Sequence, residues 1–135
     1  MFGLLDSSPA IAALPAEDRR VVKGLRVWAV TTRVGRCPLR AVAEQLGSFR
    51  AAAHMHLLLV GVGGAWPDPF AVCPPCCSRM THDEAAFIDM IRFARRSDRP
   101  AFDRLLAEMI DAEARARLFL SASVLTRVLR QVSPA

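Results

Sequence analysis

The chain has 135 residues, 53% of them hydrophobic and 23% charged, and a formal charge of +5. That length suits one domain that buries a core without disulfides, and the apolar content excludes disorder along the whole chain. Arginine supplies nearly all the positive charge, with Lys23 the single lysine; the bias fits a GC-rich genome and equally a preference for planar cations that bind phosphate.

Residues 1–15 lack a basic start, and Asp6 with two prolines interrupts their apolar run, so no secretory leader is expected. No stretch reaches about 18 clean apolar residues, as a membrane span would. The expectation is a cytoplasmic protein with reduced thiols. Residues 1–14 read as a loose N-terminal arm.

Pro15 suits a first helical turn, and Glu17 and Asp18 complement the helix dipole there. A helix is predicted to about Val34, with Val21, Val22, Leu25, Trp28 and Thr32 inward and Arg19, Lys23 and Arg26 outward; Gly35 ends it. Between Arg19 and Arg50 eight cations accompany one acid, Glu44. Such an excess suits nucleic acid or an acidic partner, and equally a solvated helix face.

A second helix starts at Pro38. Leu39, Val42, Leu46, Phe49, Ala53, His56 and Val60 recur at helical spacing and predict one buried seam through Gly47. A competing reading comes from residues 42–53, which resemble the helix-turn-helix of bacterial repressors. Ala43 is small, Leu46-Gly47 marks a turn, and Arg50 opens the next helix. There Arg50 and His54 would approach base edges, and Arg36 and Arg40 would hold phosphates. Ser48 and Ala53 depart from that pattern, which carries aliphatic residues at both places.

Residues 61–80 form a long Cys/Pro/Gly-rich connection, unusual unless something holds it. Cys73-Pro74-Pro75-Cys76-Cys77 is its centre, with His82 just beyond. Cys-x-x-Cys is half of a zinc site. Cys73, Cys76 and His82 form the preferred ligand set, with Cys37, Cys77 or His56 as the fourth; ordinary loop thiols are the alternative. The Cys-Pro-Pro-Cys spacing also occurs in thioredoxin-like redox motifs, which need a preceding strand that is not evident here. A thiol or metal sensor stays open. Cys37, ahead of Pro38, stands where a helix N-terminus favours thiolate. His54 and His56 lie about 200° apart on a helix, so one turn cannot clamp a metal with both.

Thr81 to Glu84 read as a capping box. A third helix carries Phe87, Ile88, Ile91 and Ala94 inward. A fourth, capped by Ser97 or Asp98, carries Phe102, Leu105, Leu106, Met109 and Ile110. A fifth from Asp111 carries Leu118, Val124, Leu125, Val128 and Leu129. No alternating strand, Ser-His-Asp pattern, phosphate loop or dinucleotide fingerprint is present.

Cys73, Pro74, Cys76, Thr81, Asp83 and Glu84, set after an Arg/Ala-rich helical half, resemble a family of small uncharacterised alphaproteobacterial proteins. The resemblance implies a helical, non-enzymatic protein and brings no activity with it. The whole reading is an all-α domain of four to five helices whose function is binding. The leading expectation is a regulatory or protein-interaction module, possible as a homodimer and clipped by zinc if the cysteines are ligands. The alternatives are a DNA-binding regulator and a thiol or metal sensor.

Overall fold

Described by a computed structural model, residues 10–132 form six α-helices, preceded by one 3-10 turn at Ile11–Ala13. The first helix, α1 (Ala16–Arg33), begins behind Pro15 and has Glu17 and Asp18 in its first turn. It ends before Gly35, whose φ of +78° is the left-handed geometry glycine adopts without strain. The loose arm of the sequence reading covers residues 1–9, which lie outside the described residues. Ile11 and Leu14, also assigned to it, are buried in the core.

The predicted single helix from Pro38 breaks. α2 (Leu39–Leu46) stops at Gly47, which sits at φ +81°, and α3 (Phe49–Ala65) starts after the extended Ser48. Ser48 Oγ accepts a hydrogen bond from Ala51 N at 3.1 Å, an N-cap that satisfies one of the free amides of the new helix. The break rotates α3 relative to the predicted seam. Ala51, Ala52, Met55, Leu58, Leu59 and Val62 are buried, whereas Phe49 is 63% and Val60 54% exposed, Ala53 is exposed and His56 is half-buried. The helix also runs through Gly61, Gly63 and Gly64, so the connection begins at Trp66 rather than at residue 61.

Three further helices close the fold: α4 (His82–Arg95), α5 (Arg99–Leu106) and α6 (Ala112–Arg130). α4 has the complete capping box: Glu84 N donates to Thr81 Oγ1 and Thr81 N donates back to Glu84 Oε1. Asp98 and Asp111 cap α5 and α6 through the amides of Ala101 and Ala114. The predicted core faces of these helices hold at Phe87, Ile88, Ile91, Ala94, Phe102, Leu106, Ile110, Leu118, Leu125, Val128 and Leu129; Met109 is 40% exposed.

α3 packs along α6, α2 bridges α1 and α3, and α4 packs on α1, α5 and α6 around one hydrophobic core. α1 also meets α3 directly. A Cβ on Gly24 would stand 3.3 Å from Met55 Sδ, so even alanine there would require the Met55 side chain to give by a few tenths of an ångström.

The α1–α4 contact carries two ion-paired groups of opposite sense, each with a buried charge on α1. Asp18, 1% exposed, accepts from Arg92 at 3.1 Å and Arg95 at 2.9 Å. Eight residues later Arg26, also 1% exposed, meets Glu84, eight residues before Arg92. Eight residues span about 12 Å on each helix, so both pairs close only with the helices antiparallel and in this register. The expectation that Arg26 faces outward is therefore wrong: it lies on the same face as Val22 and Asp18, within the core. No helix among the described residues is long and apolar enough to cross a membrane.

Candidate functional site

Arg26 and Glu84 form the hub that fixes the cysteine-bearing connection. Arg26 Nε donates to Glu84 Oε2 at 2.9 Å and Nη2 to Oε1 at 3.0 Å, a bidentate pair with both side chains buried. The remaining guanidinium donors turn to the loop backbone: Nη1 reaches the carbonyl of Cys77 at 2.7 Å and Nη2 that of Arg79 at 2.9 Å. Glu84 completes the ring by accepting from Thr81 N at 2.8 Å and Cys73 N at 3.2 Å. The hydrogen bond to Glu84 raises the Arg26 pKa above its ordinary value, so the guanidinium stays charged in spite of burial.

A second layer of contacts ties down the rest of the loop. Asp83 accepts from Ala71 N at 2.8 Å and Trp66 Nε1 at 3.3 Å. Thr81 Oγ1 donates to the Ala71 carbonyl at 2.8 Å while serving as the helix cap. Ile11 N donates to the Ser78 carbonyl at 2.8 Å. The loop thus spends its backbone groups on α1, α4 and the N-terminal turn, as buried polar groups require. Something was expected to hold it, and side chains of α1 and α4 do so.

The thiols lie on this scaffold unevenly. Cys73 and Cys77 are half-buried, while Cys76 is exposed. Burial thus separates Cys76 from Cys73, the two thiols that the spacing favoured as a pair. The Cys73 thiol is pushed up, first by burial, then by Cys77 and the nearby Glu84 carboxylate, with Arg26 acting in the opposite direction. Such a thiol is slow to ionise, unlike the low-pKa thiols of redox catalysts. His82 is exposed at the start of α4, and Cys37 is exposed beside Arg36 and Arg40 between α1 and α2. His56 Nδ1 accepts from Trp28 Nε1 at 3.0 Å, so that nitrogen is already used. Among the described residues, no three His, Cys, Asp or Glu side chains gather as a metal shell would require.

The other candidate residues surround the turn at Gly47. Arg36, Arg40 and Arg50 are exposed, and Arg40 borders both the α1–α2 groove and the hollow beside Gly47, Ser48 and Phe49. Arg50 Nη1 donates to Gln131 Oε1 at 3.1 Å, tying the start of α3 to the end of α6. His54 is half-buried. Of the eight cations from Arg19 to Arg50, Arg26 alone forms an ion pair with a described acid. Beyond Arg50, the outward side of α3 presents Ala53, Leu57, Val60, Gly61 and Gly64, none with a side chain that can hydrogen-bond a base edge. The sequence reading took Phe49, Ala53 and Val60 of this stripe as core and did not assign Leu57.

Comparison with protein-family models, curated proteins and solved structures finds no match for this chain.

Proposed function

We propose that this chain is a non-enzymatic interaction module that docks through the outer face of α3, with a second copy of itself as partner. The observation that carries the reading is the exposed stripe itself. Leu57 is 60% and Val60 54% exposed, and Ala53, Gly61 and Gly64 beside them offer a low surface. Leu120 of α6 adds a 65% exposed leucine. Monomeric proteins rarely leave such aliphatic surface together, and small residues between larger ones let a second helix approach closely.

Charge favours a second copy as that partner. α3 and α6 run antiparallel: Arg50 meets Gln131 at one end, and Gly61 abuts Leu118 nearer the other. Exposed Arg50, Arg127 and Arg130 gather at the first end; at the second, exposed Asp68 and Glu108 join Glu113, which Arg117 pairs at 3.5 Å. A two-fold axis across α3 sets the basic end of one chain on the acidic end of the other. Sedimentation equilibrium should show a dimer that weakens with salt. Leu57→Glu or Val60→Glu should give monomers with unchanged helicity, because both side chains already face solvent. A wild-type chain that stays monomeric up to millimolar concentration overturns the reading.

A second reading, nucleic-acid binding, is supported by the sharp turn at Gly47 and the exposed Arg36, Arg40 and Arg50, none of them in an ion pair with a described acid. Its affinity would come from phosphate contacts and fall steeply with salt. Gel-shift titrations with Arg36→Ala, Arg40→Ala and Arg50→Ala test it: uniform weakening on every sequence supports phosphate binding, and an absence of binding at low salt removes it.

A further inference from the structure

From the cavity between α1, α3 and the clamped loop, we infer a binding site for a small amphipathic carboxylate, a medium-chain fatty acid or an arylalkanoic acid. This goes beyond the interaction reading and does not rest on it. The cavity measures about 230 Å³. One water occupies about 30 Å³ in the liquid, so the space equals roughly eight waters, the bulk of one aromatic ring with a short tail or of a medium-length alkyl chain.

The lining has the polarity of such a molecule. Leu25, Leu59 and Val62 are buried and form the floor, and Trp28 makes one wall. Phe70 and Val72 make the other, and they belong to the connection that Arg26, Glu84 and Asp83 hold in place. The clamp therefore shapes this hollow. Polar side chains enter the lining only at Thr32 and Arg33, both exposed at the C-terminal end of α1. Arg33 forms no ion pair with a described acid. An apolar body with one planar cation and one hydroxyl at the rim matches a ligand with an apolar tail and one carboxylate, which a guanidinium holds through two parallel hydrogen bonds. Trp28 has its indole N–H committed to His56, so it offers the ligand only its ring.

Gly63 borders the same hollow, and a Cβ placed there would meet nothing within 4 Å. Gly63→Leu should thus narrow the mouth of the cavity, since its Cβ enters open space, and leucine suits a helix interior better than glycine. The experiment titrates the full-length protein with octanoate, 4-phenylbutyrate and, as neutral control, octanol, followed by amide NMR shifts at residues 32, 33, 70 and 72. Expected are saturable shifts with both acids at a dissociation constant below about 1 mM, at least tenfold weaker binding of octanol, and loss of the acid preference in Arg33→Gln. Gly63→Leu should reduce binding of all three probes at least tenfold while its own spectrum stays dispersed. No saturable shift at these residues up to several millimolar, equal binding of acid and alcohol, or undiminished binding in Gly63→Leu would each overturn the assignment.

Discussion

Removing the charge of Glu84 should cost this protein a large part of its stability. In Glu84→Gln the side chain keeps its shape, but Arg26 remains buried without a counter-charge, and breaking such a pair costs about 3–5 kcal/mol. The hydrogen-bond pattern adds to the loss. Each carboxylate oxygen accepts two N–H groups: Oε1 from Arg26 and Thr81, Oε2 from Arg26 and Cys73. A carboxamide has one acceptor oxygen, so its NH2 must face two donors. Against a usual total of about 5–15 kcal/mol, a loss of this size brings a small domain near the edge of folding. Arg26→Met should cost about as much, since it leaves Glu84 without its cation and the carbonyls of Cys77 and Arg79 without their donor. The double variant Arg26→Met/Glu84→Gln should lose less than the sum of the two by about 2 kcal/mol or more, because both losses include the same pair. Urea unfolding followed by circular dichroism at neutral pH reads all four proteins, and amide exchange over residues 71–81 reports whether the loop loosens first. Single variants that cost under about 1 kcal/mol, or costs that simply add, would refute the view that this pair holds the loop.

Other consequences are as direct. Gly47→Ala should destabilise by about 1–2 kcal/mol through its left-handed φ of +81°, and more if Val132 Cγ1, 3.1 Å from the new Cβ, cannot yield; thermal melts check it. Ser48→Ala removes the α3 cap and should cost about 1 kcal/mol by the same measurement. Iodoacetamide with mass-spectrometric mapping should modify the exposed Cys37 and Cys76 first and Cys73 last, and Cys73 should gain reactivity only at a pH above that of a free thiol. Because its folded pKa is raised, Cys73 adds stability that is present below the unfolded cysteine pKa of about 8.5 and is lost as pH rises through the folded value. Since side chains fix residues 66–81, EDTA should leave the melting temperature unchanged, and Cys73→Ser should leave amide exchange of residues 71–81 intact; a chelator-induced drop with about one zinc per chain in the untreated protein would restore the zinc clip.

What the sequence disclosed was mostly local. The Thr81–Glu84 capping box and the Asp98 and Asp111 caps involve groups three residues apart, so spacing alone identifies them. The inward faces of α4, α5 and α6 follow from 3.6-residue periodicity. Arg26 was misplaced because its partners lie 51 to 58 residues away, and a charged residue defaults to the surface in any periodicity argument. A signal was nevertheless present: Arg26 follows Asp18 and Val22 on one helix face, and Glu84 does more than a cap needs. Gly47 misled differently. In a stretch this rich in alanine and leucine, apolar residues fit two helical stripes, and the one drawn through Phe49, Ala53 and Val60 crossed a break that re-phased the helix. Gly47-Ser48, a left-handed residue followed by an N-cap, was the local sign that should have outweighed it. Nor could Cys-x-x-Cys spacing disclose how the Cys77 carbonyl is pulled toward Arg26, 51 residues away.

The charge pattern of the chain follows from the same packing. Acids of the second half are largely consumed within the fold: Glu84 by Arg26, Asp89 by Arg92, Asp103 by Arg99 and Arg115, and Asp98 and Asp111 by helix caps. Asp18 and Glu17, the acids that open α1, are drawn to α4 by Arg92 and Arg95. The cations of residues 19–50, Arg26 apart, are left with Glu44 as the one acid among them, so folding itself concentrates positive charge on α1, α2 and the start of α3. A basic surface here needs no nucleic acid to account for it. The apolar stripe of α3 has no such internal explanation, because its leucine and valine could have been polar without disturbing any buried contact. That asymmetry places docking through α3 ahead of phosphate binding: burial of the stripe adds a favourable term that nothing inside the monomer supplies.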